Sequence, residues 1–255
     1  MSKTRQTGGD GQVCVRTFPV TFLHDHTQAF HTPAWHQLIF AARGNLEVIT
    51  DASRWLVPAD RAVWLPARTR FTAVMRAPIS MRSIYVAAAT MREARRVRTI
   101  AVAPLLRELI LHVTRLGALD RADAEQARLA GVLVDLLRGA ADVPLELPSP
   151  RDPRARRFAQ LVADHPSEPT AALVGKSGAS LRTLERCFAT ETGMALGDWR
   201  RRVRLFHALH RLQAGASVTE VALDVGYATP SAFSQAFQRA MGRSPSELAR
   251  ARLRG

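Results

Sequence analysis

Apolar and polar positions alternate through the first third of the chain. Phe18, Val20 and Phe22 interleave with Thr17, Pro19 and Thr21, and Leu46 and Val48 with Asn45 and Glu47. Period two is the mark of a strand with one buried face. Further Val-, Ile-, Phe- and Trp-rich segments lie at 36–41, 55–58, 62–65, 71–75 and 80–86, cut by Gly, Pro, Asn and Asp. Roughly six to eight short strands at this spacing predict a small sandwich or barrel over residues 13–90.

From about residue 92 the period becomes helical. Pro104 suits a first helical turn. Leu105, Leu106, Leu109, Ile110, Val113 and Leu116 then form one stripe, and Leu129, Val132, Leu133, Leu136 and Leu137 a second, ending near Gly139. Two amphipathic helices in this 91–140 segment can cover the barrel or meet a second subunit. Residues 141–153, ADVPLELPSPRDP, hold four prolines and read as a linker. Residues 154–255 read as helical to the end, so the fold class is α+β in two domains.

That last segment contains one kind of unit twice. In the second copy, Ser217-Val218-Thr219-Glu220 matches a capping box, and Val218, Val221, Ala222 and Val225 give a small apolar face ending at Gly226. Thr229 caps a new helix with Pro230 at its first position. Phe233, Phe237 and Ala240 face inward; Ser231, Ser234, Gln235, Gln238 and Arg239 stay outside. In the first copy, 171–177 forms the short helix, Gly178 the turn and Ser180 the next cap. Leu181, Leu184 and Phe188 are buried there, and Arg182, Glu185 and Arg186 point away. A longer helix marked by Trp199, Val203, Phe206, Leu209 and Leu212 joins the copies. Short helix, sharp turn and a second helix with a polar outer face make a helix-turn-helix, which suits entry into a major groove.

The charge agrees with this. Lys and Arg number 36 against 22 Asp and Glu, a net +14, and such a surplus favours a polyanionic partner. Double-stranded DNA is therefore the expected partner. Cys14 and Cys187 are the only cysteines and form neither a metal cluster nor a disulfide framework, as suits a reducing cytoplasm. No apolar run approaches membrane-spanning length, so a cytoplasmic location without membrane contact is expected.

Residues 193–248, GMALGDWRRRVRLFHALHRLQAGASVTEVALDVGYATPSAFSQAFQRAMGRSPSEL, resemble the C-terminal domain of the AraC/XylS family of transcription regulators. The likeness covers roughly 154–252 and rests on VTEVALDVGY, SAFSQAF and the G-x-SP close. It implies two helix-turn-helix units on one long helix, reading successive major-groove segments. Base contacts would come from Arg182, Glu185 and Arg186, then Pro230, Ser231, Ser234 and Gln235. Arg fits guanine bidentately and Glu accepts from cytosine. Phosphate contacts would come from Ser180, Arg200, Arg201, Arg204, Thr229 and Arg239; a plain solvated face is the other reading of the Arg200–Arg204 run. The first unit departs from the family's Leu-Ala-x-x-Ala-Gly pattern with Leu173-Val174-Gly175-Lys176-Ser177-Gly178, and a Gly inside a helix costs roughly 1 kcal/mol. Gln235 stands where members often carry Arg.

The stretch WHQLIFAARGNLEVIT…RWLVPADRAVWLPARTRFTAV resembles the N-terminal cupin-like barrel of short AraC-type repressors, with RAVWLPA the most telling piece. Cupins often hold a divalent metal, but the late-His position carries Phe71 and the carboxylate position Gln37, so no metal and no other cofactor is expected. His31, His36, Trp55 and Trp64 are instead candidates to line a small-molecule effector pocket. The reading is a ligand-responsive repressor of a neighbouring transport or efflux gene, acting as a homodimer, with RNA polymerase a further candidate partner. Alternatives are an activator of the same family, a metal-dependent cupin enzyme, which would need a metal triad or acid/base pair not visible here, and an architectural DNA-binding protein without a sensor. No catalytic residue is assigned.

Overall fold

The computed structural model describes residues 13–31, 34–59, 61–93, 95–143 and 145–253. The strands are β1 (Val13–Phe22), β2 (His26–His31), β3 (Trp35–Ile49), β4 (Ser53–Pro58), β5 (Arg61–Leu65), β6 (Arg70–Ala87), β7 (Arg98–Ala101), β8 (Ala118–Asp120) and β9 (Glu146–Pro148). Every pairing is antiparallel, in the order β7-β5-β3-β6-β1-β8, with β2 beside β6 and β4 between β3 and β9. Among the described residues β7 and β8 end this path and do not pair with each other. The expected barrel is thus a sheet folded over on itself.

The fold-over has a local cause. β3 carries register shifts at Ala41/Arg43 and Arg43/Asn45, and a bulge bends its strand and sharpens its twist. Gly44 sits there at φ +80°, and a Cβ on it would lie 2.6 Å from the carbonyl oxygen of Pro78. Only glycine fits so close an approach. Before the bend β3 pairs with β5, after it with β4.

The sheet has two buried faces. Ile39, Ala41, Leu46, Val48, Val63, Leu65 and Met75 pack together inside the fold. Leu38, Phe40, Trp64, Ile84 and Val86 form the other face, covered by α1 (Pro104–Leu116) and α2 (Ala124–Gly139) through Ile110, Val113, Leu133 and Leu137. The stripes of these helices therefore pack within the chain. Leu105, Leu116 and Val132 remain exposed. The segment expected to be helical also contains β7 and β8, which add strands to the sheet at β5 and β1.

The prolines of 141–153 do not keep that segment out of the core. β9 pairs with β4, Leu56 N–H donates to Leu145 O at 3.1 Å, and Leu145 and Leu147 are buried among side chains of the C-terminal half. What reads as a linker is a strap bonded on both sides. Beyond it come α3 (Pro153–Asp164), α4 (Thr170–Ser177), α5 (Leu181–Thr192), α6 (Leu196–Ala214), α7 (Val218–Asp224), α8 (Pro230–Met241) and α9 (Pro245–Leu253). Phe158, Phe188, Trp199, Leu209, Phe233 and Phe237 lie in their shared core.

Further contacts join the halves. Trp199 Nε1 donates to Pro148 O (2.7 Å) and Arg202 Nη1 to Glu146 O (2.6 Å). His210 Nε2 donates to Glu47 Oε1 at 2.8 Å, while Asn45 Nδ2 donates to Gln213 Oε1. Burial alone would raise the Glu47 carboxyl; the bond to His210 and its charge hold it below its ordinary value. At the far end Arg61 donates to Met241 O (3.4 Å) and Arg243 to Ala59 O (2.9 Å). His210 on α6 thus holds this interface.

Candidate nucleic-acid interface

Each helix-turn-helix is built by its caps. Ser217 accepts from Glu220 N–H (3.2 Å) while the Glu220 carboxylate accepts from Ser217 N–H (2.9 Å), closing the capping box at the start of α7. The turn from α7 to α8 passes through Gly226 at φ +78°, where a Cβ would lie 3.2 Å from Ser167 Cα. Thr229 then accepts from Ala232 N–H (3.2 Å) to start α8. In the first unit Ser180 accepts from Thr183 N–H (3.2 Å) to start α5.

These caps fix which faces look outward. On α5, Leu184, Cys187 and Phe188 are buried, Leu181 at the first turn is exposed rather than buried as its spacing predicts, and Arg182, Glu185 and Arg186 are exposed. On α8, Phe233, Phe237 and Met241 are buried, Ser231 and Gln235 are exposed, and Pro230 and Ser234 are half-buried. Ser180 and Thr229 are exposed at the N-termini of 12-residue helices, where unpaired N–H groups and the helix dipole favour an anion.

The arginines divide into two kinds. Arg200 is 8% exposed, and its guanidinium donates to Glu168 O at 2.6 Å and to Thr170 Oγ1. It ties α6 to the start of α4 and does not face a phosphate, which corrects its sequence assignment. Adjacent residues on a helix differ by about 100°, so its neighbour Arg201 is turned outward. Arg201 makes an exposed ion pair with Asp198 at 2.7 Å. Arg204 is half-buried, donates to Pro166 O (3.0 Å) and lies against Gly226. Arg201, Arg204 and Arg239 all act on the half-buried phenol of Tyr227: burial raises its pKa and the three positive charges oppose that. Tyr227 thus marks where α6 and α8 bring these cations together, and only the three-dimensional turn reveals it.

Arg200→Ala is expected to destabilise the fold by about 2–3 kcal/mol, because it removes a buried charged donor from two acceptors. Thermal unfolding measures that loss. The salt slope of DNA binding by the folded variant should stay unchanged.

Among the described side chains, His36 and Trp64 lie together and Trp55 lies apart from them. His36 stacks against Trp64 with centroids 5.1 Å apart and accepts from Ala67 N–H through Nδ1 (3.0 Å), on the helix-covered face. Burial lowers its pKa, which favours the neutral ring. Trp55 belongs to the inner face. The side chain of His31 lies outside the described residues. At the cupin-type ligand positions, Gln37 donates to Ser83 and Tyr85 (both 3.2 Å) and Phe71 stacks on Phe30 at 5.3 Å. Among the described residues no three His, Cys, Asp or Glu side chains are grouped to hold a metal ion. Both cysteines are buried and free, and among the described residues no helix is long and apolar enough to cross a membrane.

Two capped helix pairs on one connecting helix, each with an exposed polar outer face, define a DNA-binding transcription regulator. A helix-turn-helix domain model matches residues 173–251. The chain is 38% identical over 73 residues to the regulatory protein SoxS of Escherichia coli (strain K12), covering 28% of this chain and 68% of that one. It is 29% identical over 221 residues to the HTH-type transcriptional regulator NimR of the same strain, covering 86% of this chain and 81% of NimR. Among solved structures, ToxT from Vibrio cholerae O395 aligns over 93% of this chain and 97% of that one, at 12% identity and a TM-score of 0.38. The chain belongs to the AraC/XylS family, whose members are transcription regulators and not enzymes.

Proposed function

We propose that the chain is an effector-responsive repressor acting on a neighbouring transport or efflux gene and on its own gene. The observation that carries the DNA-reading part is the paired exposure of Arg182, Glu185 and Arg186 on α5 and of Ser231 and Gln235 on α8. The two helices read successive major-groove faces about one turn apart. Arg201 and Arg239, with the N-termini of α5 and α8, supply the sequence-independent phosphate attraction. Residues 13–140 form the sensing half, cupin-like in sequence, and 154–255 the reading half, with the 141–153 strap between them. The homodimer is built through the exposed Leu105 and Val132 on α1 and α2.

A binding titration against single-base operator variants tests the roles. Arg186→Ala should lose about 1–3 kcal/mol of discrimination at one or two base pairs and little elsewhere. Arg201→Ala should weaken binding to all sequences alike and lower the salt slope by about one. The reverse pattern would overturn the assignment. A promoter reporter in a strain lacking the gene tests the sign of regulation, with higher expression expected for a repressor.

A further inference from the structure

One flank of the N-terminal half carries more positive charge than its neighbours neutralise. Met91, Glu93, Arg95, Arg96, Arg98 and Arg138 line a cleft of about 560 Å³ between the start of β7 and the last turn of α2. Three carboxylates pair with its four guanidinium groups, Asp135 meeting Arg138 at 3.5 Å. Glu93 takes Arg138 at 2.7 Å; Asp142 takes Arg96 and, at 2.9 Å, Arg98. Arg98 also caps α2 by donating to Leu137 O (2.8 Å) and Ala140 O (3.3 Å), so its place is structural. Arg95 is exposed and donates its Nε to the backbone oxygen of Arg92 at 3.3 Å. Met91, buried, adds an apolar patch to the wall.

Cations that line one cleft repel one another, and an anion among them offsets that repulsion. The planar fork of Arg matches carboxylate and phosphate oxygens two at a time. The cleft volume is that of an ordinary small-molecule site. The geometry points to a binding site for a small organic anion, with carboxylate or phosphate groups on a partly apolar body, held by Arg95, Arg96 and Arg138. The Arg96 side chain is 74% exposed, and its pair with Asp142 is a surface ion pair of the kind that contributes little. A bound anion takes Arg96 from Asp142.

Asp142 stands at the head of the strap. Ala101 N–H donates to Ala141 O (2.9 Å) and Val143 N–H to Thr99 O (2.8 Å), and a few residues on Leu145 and Leu147 enter the C-terminal core. Releasing Asp142 loosens the first of the bonds that hold the two halves together. This consequence at DNA rests on the effector-responsive reading above; binding in the cleft does not.

Titration calorimetry on the full chain at about 150 mM NaCl, where long-range attraction is screened, tests the site with citrate in one arm and pyrophosphate in the other. At least one anion should bind with one-to-one stoichiometry; which one does assigns the group to carboxylate or phosphate. Arg95→Gln with Arg96→Gln should weaken it about tenfold or more. Arg115→Gln with Arg128→Gln, which removes the same charge from exposed positions of α1 and α2, should change it less than about twofold. Hydrogen exchange at the Ala101 and Val143 amides should quicken on binding. The site is overturned if neither anion binds below about 10 mM, or if the two double variants behave alike. Unchanged exchange at those amides overturns the release of Asp142. Normal binding with unchanged operator affinity leaves the site standing and removes the effector reading.

Discussion

A C-terminal fragment that begins at residue 154 is expected to be about 3 kcal/mol less stable than one that begins at residue 142. The longer fragment keeps Leu145 and Leu147, 3% and 8% exposed, within the core that contains Trp199 and Phe206. Full burial of a leucine is worth about 1.5–3 kcal/mol. It also keeps the acceptors of Trp199 Nε1 and Arg202 Nη1. Neither fragment has β4, so the strap loses its strand partner and Leu56 in both, which places the difference at the low end of the summed range. For a domain of this size each kcal/mol moves the melting temperature by about 4–8 °C. Urea and thermal unfolding of the two fragments measure it. Equal midpoints would mean that the strap serves only the N-terminal half. Both fragments carry both helix-turn-helix units, so sequence preference in DNA binding should be the same wherever both are folded.

Leu133→Glu should abolish cooperative folding of the N-terminal half, at a cost of about 4 kcal/mol or more. Leu133 is fully buried between α2 and the sheet, in the cluster that holds Leu38, Phe40 and Trp64. The substitution removes a packed side chain and places a carboxylate where no partner stands. Val132→Glu, one residue away at 47% exposure, should stay within about 0.5 kcal/mol of the parent. Circular dichroism melts separate the two. Light scattering on Val132→Glu combined with Leu105→Glu then reports on self-association without a folding defect. A normal melt for Leu133→Glu would contradict the packing of α2.

The contrast between these neighbours shows what a sequence stripe conveys. Periodicity places Val132 and Leu133 in one apolar band, since both are hydrophobic and adjacent; only the seat of α2 on the sheet separates them. The caps were fully legible, because a capping box or a Thr-Pro start is chemistry between residues three or four apart. Arg200 was not. A run of arginines reads as one basic face, and burial of one member depends on where Glu168 and Thr170 fall. The strap was hidden by its prolines; Pro148 is tolerated because β9 is three residues long and lies at the edge beside β4. Two of the effector candidates lie apart for a subtler reason. Even-numbered residues Leu38 and Phe40 face the helices, whereas even-numbered Leu46 and Val48, beyond the bulge, face inward. A strand whose parity inverts midway sends His36 and the partner of Trp55 to opposite faces, and alternation alone does not locate the inversion.

The reciprocal clasp between Arg61, Met241, Arg243 and Ala59 bears on how freely such halves can be recombined. Each arginine reaches a main-chain oxygen on the other half, so these two bonds require that the partner's backbone come to the same place. A chimaera joining residues 142–255 to a foreign sensing half would keep Met241 and Arg243 but find their counterparts only if that half brings a strand turn and an arginine to this spot. Without them the end of α8 loses these two bonds to the sensing half. Grafts that preserve the turn between β4 and β5 should therefore inherit the native setting between the two reading helices, and grafts that replace it should lose it while every DNA-contacting residue is intact.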